Sequence, residues 1–257
     1  MAGVDDPVGQ YGEKLFANYL AAHTLLADHE PAIGVTAKRV DYVISSPDGN
    51  LVNAEIKTIW NLPPRGSGVF DPYRAIRTHI DVGREKFKDL KGAINVLVFT
   101  AFPGSFVDLT DPYNMLGSMV GNYGFTIPFD PVKESFDTSG MRGAFLPGEG
   151  LMVRRTIHRN TRISALVTLH NADSWFPRIP QEGLSIGEAQ RLIVARLDEP
   201  EIRPPYVTVW ENPVADKRLP DTVFYGPCDA RWTHDGQEYR LSFQGEERAA
   251  ENGGDWR

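Results

Sequence analysis

Hydrophobic residues in the first hundred positions recur at helical spacing in two segments. Asp6 and Pro7 suit the N-cap and first position of a helix, and a second helical pattern runs from Asp71 to about Leu90. These patterns predict two amphipathic helices. The apolar positions of the first are Leu15, Phe16, Tyr19, Leu20, His23 and Leu26.

Shorter apolar runs between and after these helices predict strands. Residues 40–44 and 51–60 flank the turn Pro47-Asp48-Gly49-Asn50, and 93–99 is an almost continuous apolar run, typical of a buried central strand. The order strand, helix, strand predicts an α/β fold with a mixed central β-sheet flanked by helices. Further along, the pattern predicts strands at 163–169 and 206–210 and a helix at 186–197.

The chain is predicted to form one domain with two additions to a core. A length of 257 residues suits a single large domain. The core covers about residues 8–100. Residues 102–150 are rich in glycine and proline and show little periodicity, so they are predicted to be a long insertion containing short helices. Residues 151–245 are predicted to form a β-rich C-terminal extension with a hairpin around Asp235-Gly236.

The turn between the first two strands predicts their register. Pro47-Asp48-Gly49 fits a three-residue hairpin loop, a type I turn followed by glycine in the left-handed region. This loop places Ser46 opposite Asn50. Counting back along both strands then places Asp41 opposite Glu55.

Side chains alternate between the faces of a strand, so this register brings Asp41, Glu55 and Lys57 to one face. Hydrophobic pattern and turn chemistry select the same register. Two carboxylates and an ammonium group therefore converge on a half-buried sheet. The opposite face is predicted to collect the apolar residues Val40, Tyr42, Ile44, Val52, Ala54 and Ile56.

Such a patch suits a bound cation. Burying two carboxylates together is costly unless a cation compensates their charge. Oxygen ligands favour a hard ion such as Mg²⁺, which can activate water and stabilise charge developing on a phosphate. Lys57 could orient or deprotonate the water, or hold a phosphate oxygen. The alternative is a cross-strand salt bridge between Lys57 and the two acids.

Asp41, followed after thirteen residues by Glu55-Ile56-Lys57, resembles the PD-(D/E)xK nuclease superfamily over about residues 8–100. The resemblance implies a restriction-endonuclease-like core and Mg²⁺-dependent phosphodiester hydrolysis, with Mn²⁺ able to substitute. It also implies that Asp41 and Glu55 bind the metal, that Lys57 serves the hydrolytic water, and that the Ile56 carbonyl is a further ligand. Val40 stands where the family name has proline, a departure that many members share.

Some members of this superfamily, including resolvase-like nucleases, add a metal-binding glutamate from the first helix. Glu13 occupies a matching place, three residues before Phe16 and seven before Leu20, on the flank of the apolar face. The resemblance therefore suggests Glu13 as a further metal ligand. The alternative is an exposed acid that the helix dipole favours near the N-terminus.

Charge is distributed unevenly along the chain. The net charge is −7, yet residues 74–91 carry +3 and residues 151–163 carry +4, which leaves −14 elsewhere. These two basic islands suit an anionic ligand, although solvated helix faces have the same composition. The candidate nucleic-acid contacts are Arg65 after the second strand, Arg84 and Lys88 on the second helix, and Arg154 and Arg155 in the second island.

The predicted activity is that of a Mg²⁺-dependent deoxyribonuclease, more readily an endonuclease than an exonuclease. RNA is an open alternative substrate, because nothing in the sequence reads a 2′-hydroxyl. The second hypothesis is a non-catalytic nucleic-acid- or protein-binding module that keeps the nuclease scaffold. A homodimer or a protein partner is compatible with either. No apolar run approaches about 18 residues and no secretory signal is visible, so we expect a cytoplasmic protein without a membrane span.

One competing motif lies in the second half of the chain. Gly183-Leu184-Ser185-Ile186-Gly187 matches the G-x-S-x-G elbow of serine hydrolases, and Asp221 or Asp229 with His234 would complete a triad in the right order. The elbow needs a buried strand before it, whereas a proline-containing polar segment precedes Ser185 here. Ser185 with Glu188 is instead predicted to be a capping box that opens a helix.

Overall fold

The protein is described here from a computed structural model. The residues that it describes are 6–31, 40–60, 71–127, 129–130, 135–136, 139, 142–146, 150–154, 157–158, 160–171, 185–199, 204–235 and 238–246. The helices are α1 (Pro7–Ala22), α2 (Pro72–Lys86), α3 (Pro112–Val120) and α4 (Ile186–Arg196), and a 3-10 turn (Phe87–Asp89) follows α2.

Fourteen strands are formed by the same described residues. In chain order they are β1 (Leu26–His29), β2 (Tyr42–Ser45), β3 (Leu51–Ile59), β4 (Ile94–Ala101), β5 (Asn122–Thr126), β6 (Phe129–Asp130), β7 (Ser135–Phe136), β8 (Arg142–Leu146), β9 (Val153–Arg154), β10 (Ile157–His158), β11 (Ala165–His170), β12 (Tyr206–Glu211), β13 (Ala230–His234) and β14 (Tyr239–Gln244).

One mixed sheet of eight strands organises the fold. Its strand order is β1-β2-β3-β4-β11-β12-β13-β14. The pairs β3–β4, β4–β11 and β12–β13 are parallel, and the other neighbours are antiparallel. The predicted α/β fold with a mixed central sheet is therefore confirmed. The inner strands β4 and β11 are buried along almost their whole length, as their apolar runs require.

Helices cover both faces of this sheet. On one face, α1 and α4 pack in an apolar core with alternate residues of β3, including Val52 and Ala54. On the other face, α2 and α3 pack in a second core with Leu97 and Phe99 of β4. All four helices begin at a polar side chain that accepts a backbone N–H, and α1, α2 and α3 have proline directly after that cap.

The segment predicted as an insertion holds α3 and two small antiparallel strand pairs, β5–β8 and β6–β7. The expectation of a short helix there is confirmed. The C-terminal hairpin is confirmed, because β13 and β14 pair antiparallel and the Asp235 N–H donates to the Glu238 carbonyl. None of the helices among the described residues is long and apolar enough to cross a membrane.

The first helix is shorter than its apolar pattern predicted. It ends at Ala22, because Thr24 takes the left-handed backbone conformation, with φ of 51°. Leu26, predicted as a helical core residue, lies instead in the edge strand β1 with 76% of its surface exposed. The hydrophobic pattern did not predict strand β1, because its residues are largely exposed and do not alternate between buried and exposed positions.

Candidate active site

The hairpin of β2 and β3 has the predicted register. The Ser46 N–H donates to the Asn50 carbonyl at 2.9 Å, and the Gly49 N–H donates to the Ser46 carbonyl at 2.9 Å. Gly49 has φ of 83°, a conformation that glycine adopts without a steric penalty. Tyr42 is paired with Ala54, so the next position of the register sets Asp41 opposite Glu55.

Just before strand β2 begins, the Asp41 side chain hydrogen-bonds to β3 in place of the backbone. The strand begins at Tyr42, and the Asp41 side chain accepts the backbone N–H of Ile56 through Oδ2 at 2.7 Å. The bend at Asp41 also corrects one prediction. Val40 packs in the core beneath α2 rather than with the apolar face of Tyr42 and Ile56, because the chain no longer alternates as a strand before Tyr42.

Glu55 lies at the centre of the patch. Strand β3 is flanked by β2 and β4, and the Glu55 side chain is only 1% exposed. Its Oε1 accepts from two ammonium groups, Lys57 Nζ at 2.6 Å and Lys86 Nζ at 2.6 Å. Among the described residues nothing donates a hydrogen bond to its buried Oε2. An unpaired carboxylate oxygen in this position is unfavourable and is the kind of atom that a cation satisfies.

Lys86 is the site residue that the sequence did not reveal. It lies in the last turn of α2 and approaches Asp41 Oδ1 at 3.5 Å as well as Glu55. The available signal was its place beside the buried stripe of α2, since Gly83 precedes it by three residues and Phe87 follows it directly. Six Lys and Arg residues crowd this segment, and their spacing alone does not distinguish an inward ammonium from solvated ones.

Burial and neighbouring charges together shift the pKa values of Lys86 and His79 in opposite directions. Burial opposes the charged form of Lys86, but hydrogen bonding to Glu55 and the charges of Glu55 and Asp41 outweigh it and raise the Lys86 pKa. Burial, and secondarily the positive charge of Lys57, lower the pKa of His79. His79 lies two turns before Lys86 on α2, within the electrostatic influence of Lys57.

Glu13 lies near Asp41 but approaches from α1, the helix on the opposite face of the sheet from α2. Tyr42 Oη donates to the Glu13 carbonyl at 3.4 Å. Although the Glu13 side chain is exposed, partial desolvation raises the pKa of its carboxyl, and the Asp41 charge raises it further. The two carboxylates therefore interact, while no contact of Glu13 with Glu55 is described.

The predicted nucleic-acid contacts are only partly covered by the structure. Arg65 and Arg155 lie outside the described residues, and of Arg154 only the backbone is described, in β9. Arg84 is exposed and pairs with Asp81 at 3.7 Å and Glu85 at 3.3 Å, and Lys88 is exposed. These residues remain predicted contacts.

The structure places Arg162 of the second basic island next to Lys88 of the first. Arg162, from the second island, donates through Nη1 to the backbone carbonyl of Lys88 in the first. Its own carbonyl accepts from Asn95 Nδ2 at 2.9 Å, which ties this segment to the start of β4. Arg162 is therefore a neighbour of the 3-10 turn that follows Lys86.

The residues of the patch fit a magnesium ion. Within the described ranges, no group of three or more His, Cys, Asp or Glu side chains is arranged to hold a metal. The two carboxylates that could hold an ion in this patch are those of Asp41 and Glu55. Mg²⁺ typically takes one or two protein carboxylates and completes its shell with waters and substrate phosphate oxygens. The unpaired Glu55 Oε2 supports this fit.

The competing hydrolase motif has a structural role where it is described. Ser185 and Glu188 form the predicted capping box, with the Ser185 N–H donating to Glu188 Oε2 at 2.8 Å and the Glu188 N–H to Ser185 Oγ at 3.3 Å. Asp229 is buried and accepts from Tyr19 Oη at 2.6 Å and from two backbone N–H groups. These partners account for Ser185 and Asp229 without catalysis.

Comparisons of the chain with protein-family models, with curated proteins and with solved structures find no significant match in any of the three. The function must therefore be inferred from the patch itself. Its decisive features are a buried carboxylate with an unpaired oxygen, a second carboxylate in register with it, and two ammonium groups.

Proposed function

We propose that this protein is a Mg²⁺-dependent nuclease that hydrolyses phosphodiester bonds of DNA, preferentially within the strand. The observation that carries the proposal is the Glu55 carboxylate, fully buried and with Oε2 unpaired, opposite Asp41. A carboxylate in such a place is stabilised by a cation, and a pair of carboxylates on adjacent strands suits a divalent ion.

Each residue of the patch has a distinct role in this proposal. Asp41 and Glu55 would hold Mg²⁺, for which Mn²⁺ substitutes, and the Ile56 carbonyl and Glu13 are further candidate ligands. When bound, the ion supplies positive charge to the phosphate and makes water a better nucleophile. Lys57, which is anchored on Glu55 and 20% exposed, orients the attacking water or holds a phosphate oxygen.

The proposed substrate follows from charge. The overall charge is −7, so broad non-specific binding to a polyanion is disfavoured and the contact must be local. Lys88 and Arg162, one from each basic island, lie next to each other shortly after Lys86 and are proposed to contribute to this local contact. DNA is the proposed substrate and RNA the alternative, and a homodimer would permit symmetric cutting of both strands.

A second candidate is a non-catalytic binding module. One observation favours it: Lys57 and Lys86 together carry two positive charges and already balance Asp41 and Glu55. In that case the patch is a salt-bridge cluster that stabilises the contact between α2 and the sheet. The two functions differ in their response to divalent metal.

Thermal unfolding with and without Mn²⁺ or Mg²⁺ tests the proposal. An ion at about a hundred times its Kd should raise the melting temperature by roughly 5 °C or more in a domain of this size. Glu55→Gln should abolish the shift. Glu85→Gln, which removes an exposed carboxylate of α2, should retain it. Equal shifts in all three proteins, or none, would exclude this metal site and favour the binding module.

A further inference from the structure

Two lysines bind the same oxygen of Glu55, but they do so differently. Lys57 belongs to the strand that carries Glu55 and contacts that residue. Lys86 comes from α2 and lies between both carboxylates, 2.6 Å from Glu55 Oε1 and 3.5 Å from Asp41 Oδ1. In the described structure only Lys86 therefore bridges the two acids.

A divalent ion shared by Asp41 and Glu55 would need the space between the two carboxylates, where the ammonium of Lys86 lies. An ammonium and a metal ion repel each other, so the two cannot both lie between Asp41 and Glu55. Glu55 is buried in the middle of the sheet and Asp41 is tied to the Ile56 N–H. Lys86 is 35% exposed and has a flexible four-carbon stem, so it is the group that is able to leave.

We propose that Lys86 is a built-in counter-ion of the metal site. Without metal, its ammonium holds Asp41 and Glu55 together. When a divalent ion binds, Lys86 gives up both contacts and its charge becomes available to the substrate phosphate near the basic islands. This inference rests on the proposed function, since it assumes that the carboxylate pair binds metal.

The proposal predicts opposite effects of one substitution on two quantities. Lys86→Met removes the competing cation, so Mn²⁺ should bind about tenfold more tightly or better. The same change removes a charge for the phosphate, so DNA cleavage at saturating Mn²⁺ should become slower. Lys86→Gln should behave in the same way and provides a second variant should the Met protein fold poorly.

Mn²⁺ titration of the full chain, by calorimetry or by the loss of the free-ion paramagnetic signal, measures the affinity directly. Lys86→Arg retains the cation and should stay within about threefold of the wild type. Lys57→Met removes an equal charge from the same oxygen but not the bridge, so its gain should be clearly smaller. Lys217→Met, which removes an exposed lysine outside both basic islands, should leave Mn²⁺ affinity unchanged.

The outcomes separate this inference from the proposed function. Tighter binding in Lys86→Met and Lys86→Gln than in Lys57→Met supports the counter-ion role. Unchanged or weaker binding in the Lys86 variants, or an equal gain in Lys57→Met, overturns it while the metal site itself stands. An absence of Mn²⁺ binding in the wild type and in every variant overturns both.

Discussion

The burial of Glu55 depends on the position of its strand inside the sheet. It is buried because β3 lies between the strands β2 and β4. Its negative charge is compensated by Lys57 of the same strand and by Lys86 of α2. Asp41 has a different role, because its carboxylate accepts the backbone N–H of Ile56 in place of a backbone carbonyl. This hydrogen bond holds the Asp41 side chain in place within the fold itself.

Glu13 provides a pH-dependent prediction at the residue scale. Its folded-state pKa is raised above the ordinary value of 4.5, so the ionised form is penalised in the folded protein. Glu13→Gln should therefore be more stable than the wild type at pH 7 in the absence of metal. Because the side chain is exposed, we expect a gain below about 1 kcal/mol.

Chemical unfolding of both proteins between pH 3 and pH 8 measures this difference. The gain should shrink as the pH falls through the raised Glu13 pKa and vanish below its ordinary value, where the carboxyl is protonated in both states. A Gln variant that is less stable at pH 7 without metal would contradict the electrostatic account of Glu13. If Glu13 is a ligand, saturating Mg²⁺ should reverse the order.

At the scale of elements, α2 is positioned by a close approach to the sheet. A Cβ placed on Gly83 would lie 2.4 Å from Leu97 Cδ2, and Leu97 is fully buried in β4. The missing side chain of Gly83 thus allows the helix to approach closely enough for Lys86, one turn later, to reach Glu55. The ion pairs of Lys86 with Asp41 and Glu55 therefore depend on the close contact between α2 and β4.

Gly83→Ala should destabilise the protein, despite the better helix propensity of alanine. Overpacking of a tight core typically costs about 1–3 kcal/mol, which exceeds the roughly 1 kcal/mol that alanine contributes within a helix. Gly187→Ala in α4 is the matched control, because its Cβ would meet nothing closer than 4.0 Å, and it should stabilise slightly. Urea unfolding of both variants checks the sign, and equal stabilisation would refute the packing argument.

The elements also show what the sequence could reveal. Turn residues predicted the β2–β3 register, because Gly49 permits a backbone conformation that other residues resist. The Asp6-Pro7 pair predicted the start of α1, and the Ser185–Glu188 capping box predicted the start of α4. Strand β1 and the bend that moves Val40 to the other core were missed, since exposed edge residues and local bends leave no periodic signal. Lys86 was missed because its role depends on packing between distant segments.

At the scale of the whole molecule, an acidic protein is proposed to act on an acidic polymer. The chain carries −7 overall, and Arg162 of one basic island contacts the carbonyl of Lys88 in the other. If basic residues contact the DNA phosphates, the affinity for DNA should fall steeply as the salt concentration rises.

The most direct test of the central claim is cleavage of supercoiled plasmid with Mn²⁺, by wild type, Glu55→Gln and the control Glu85→Gln. We expect nicked and linear DNA from the wild type and the control, and a rate at least about a hundredfold lower from Glu55→Gln. Linear, single-stranded and RNA substrates would then define the specificity. Cleavage by Glu55→Gln at the wild-type rate, or no metal-dependent cleavage of any of these substrates by the wild type, would contradict the proposed nuclease.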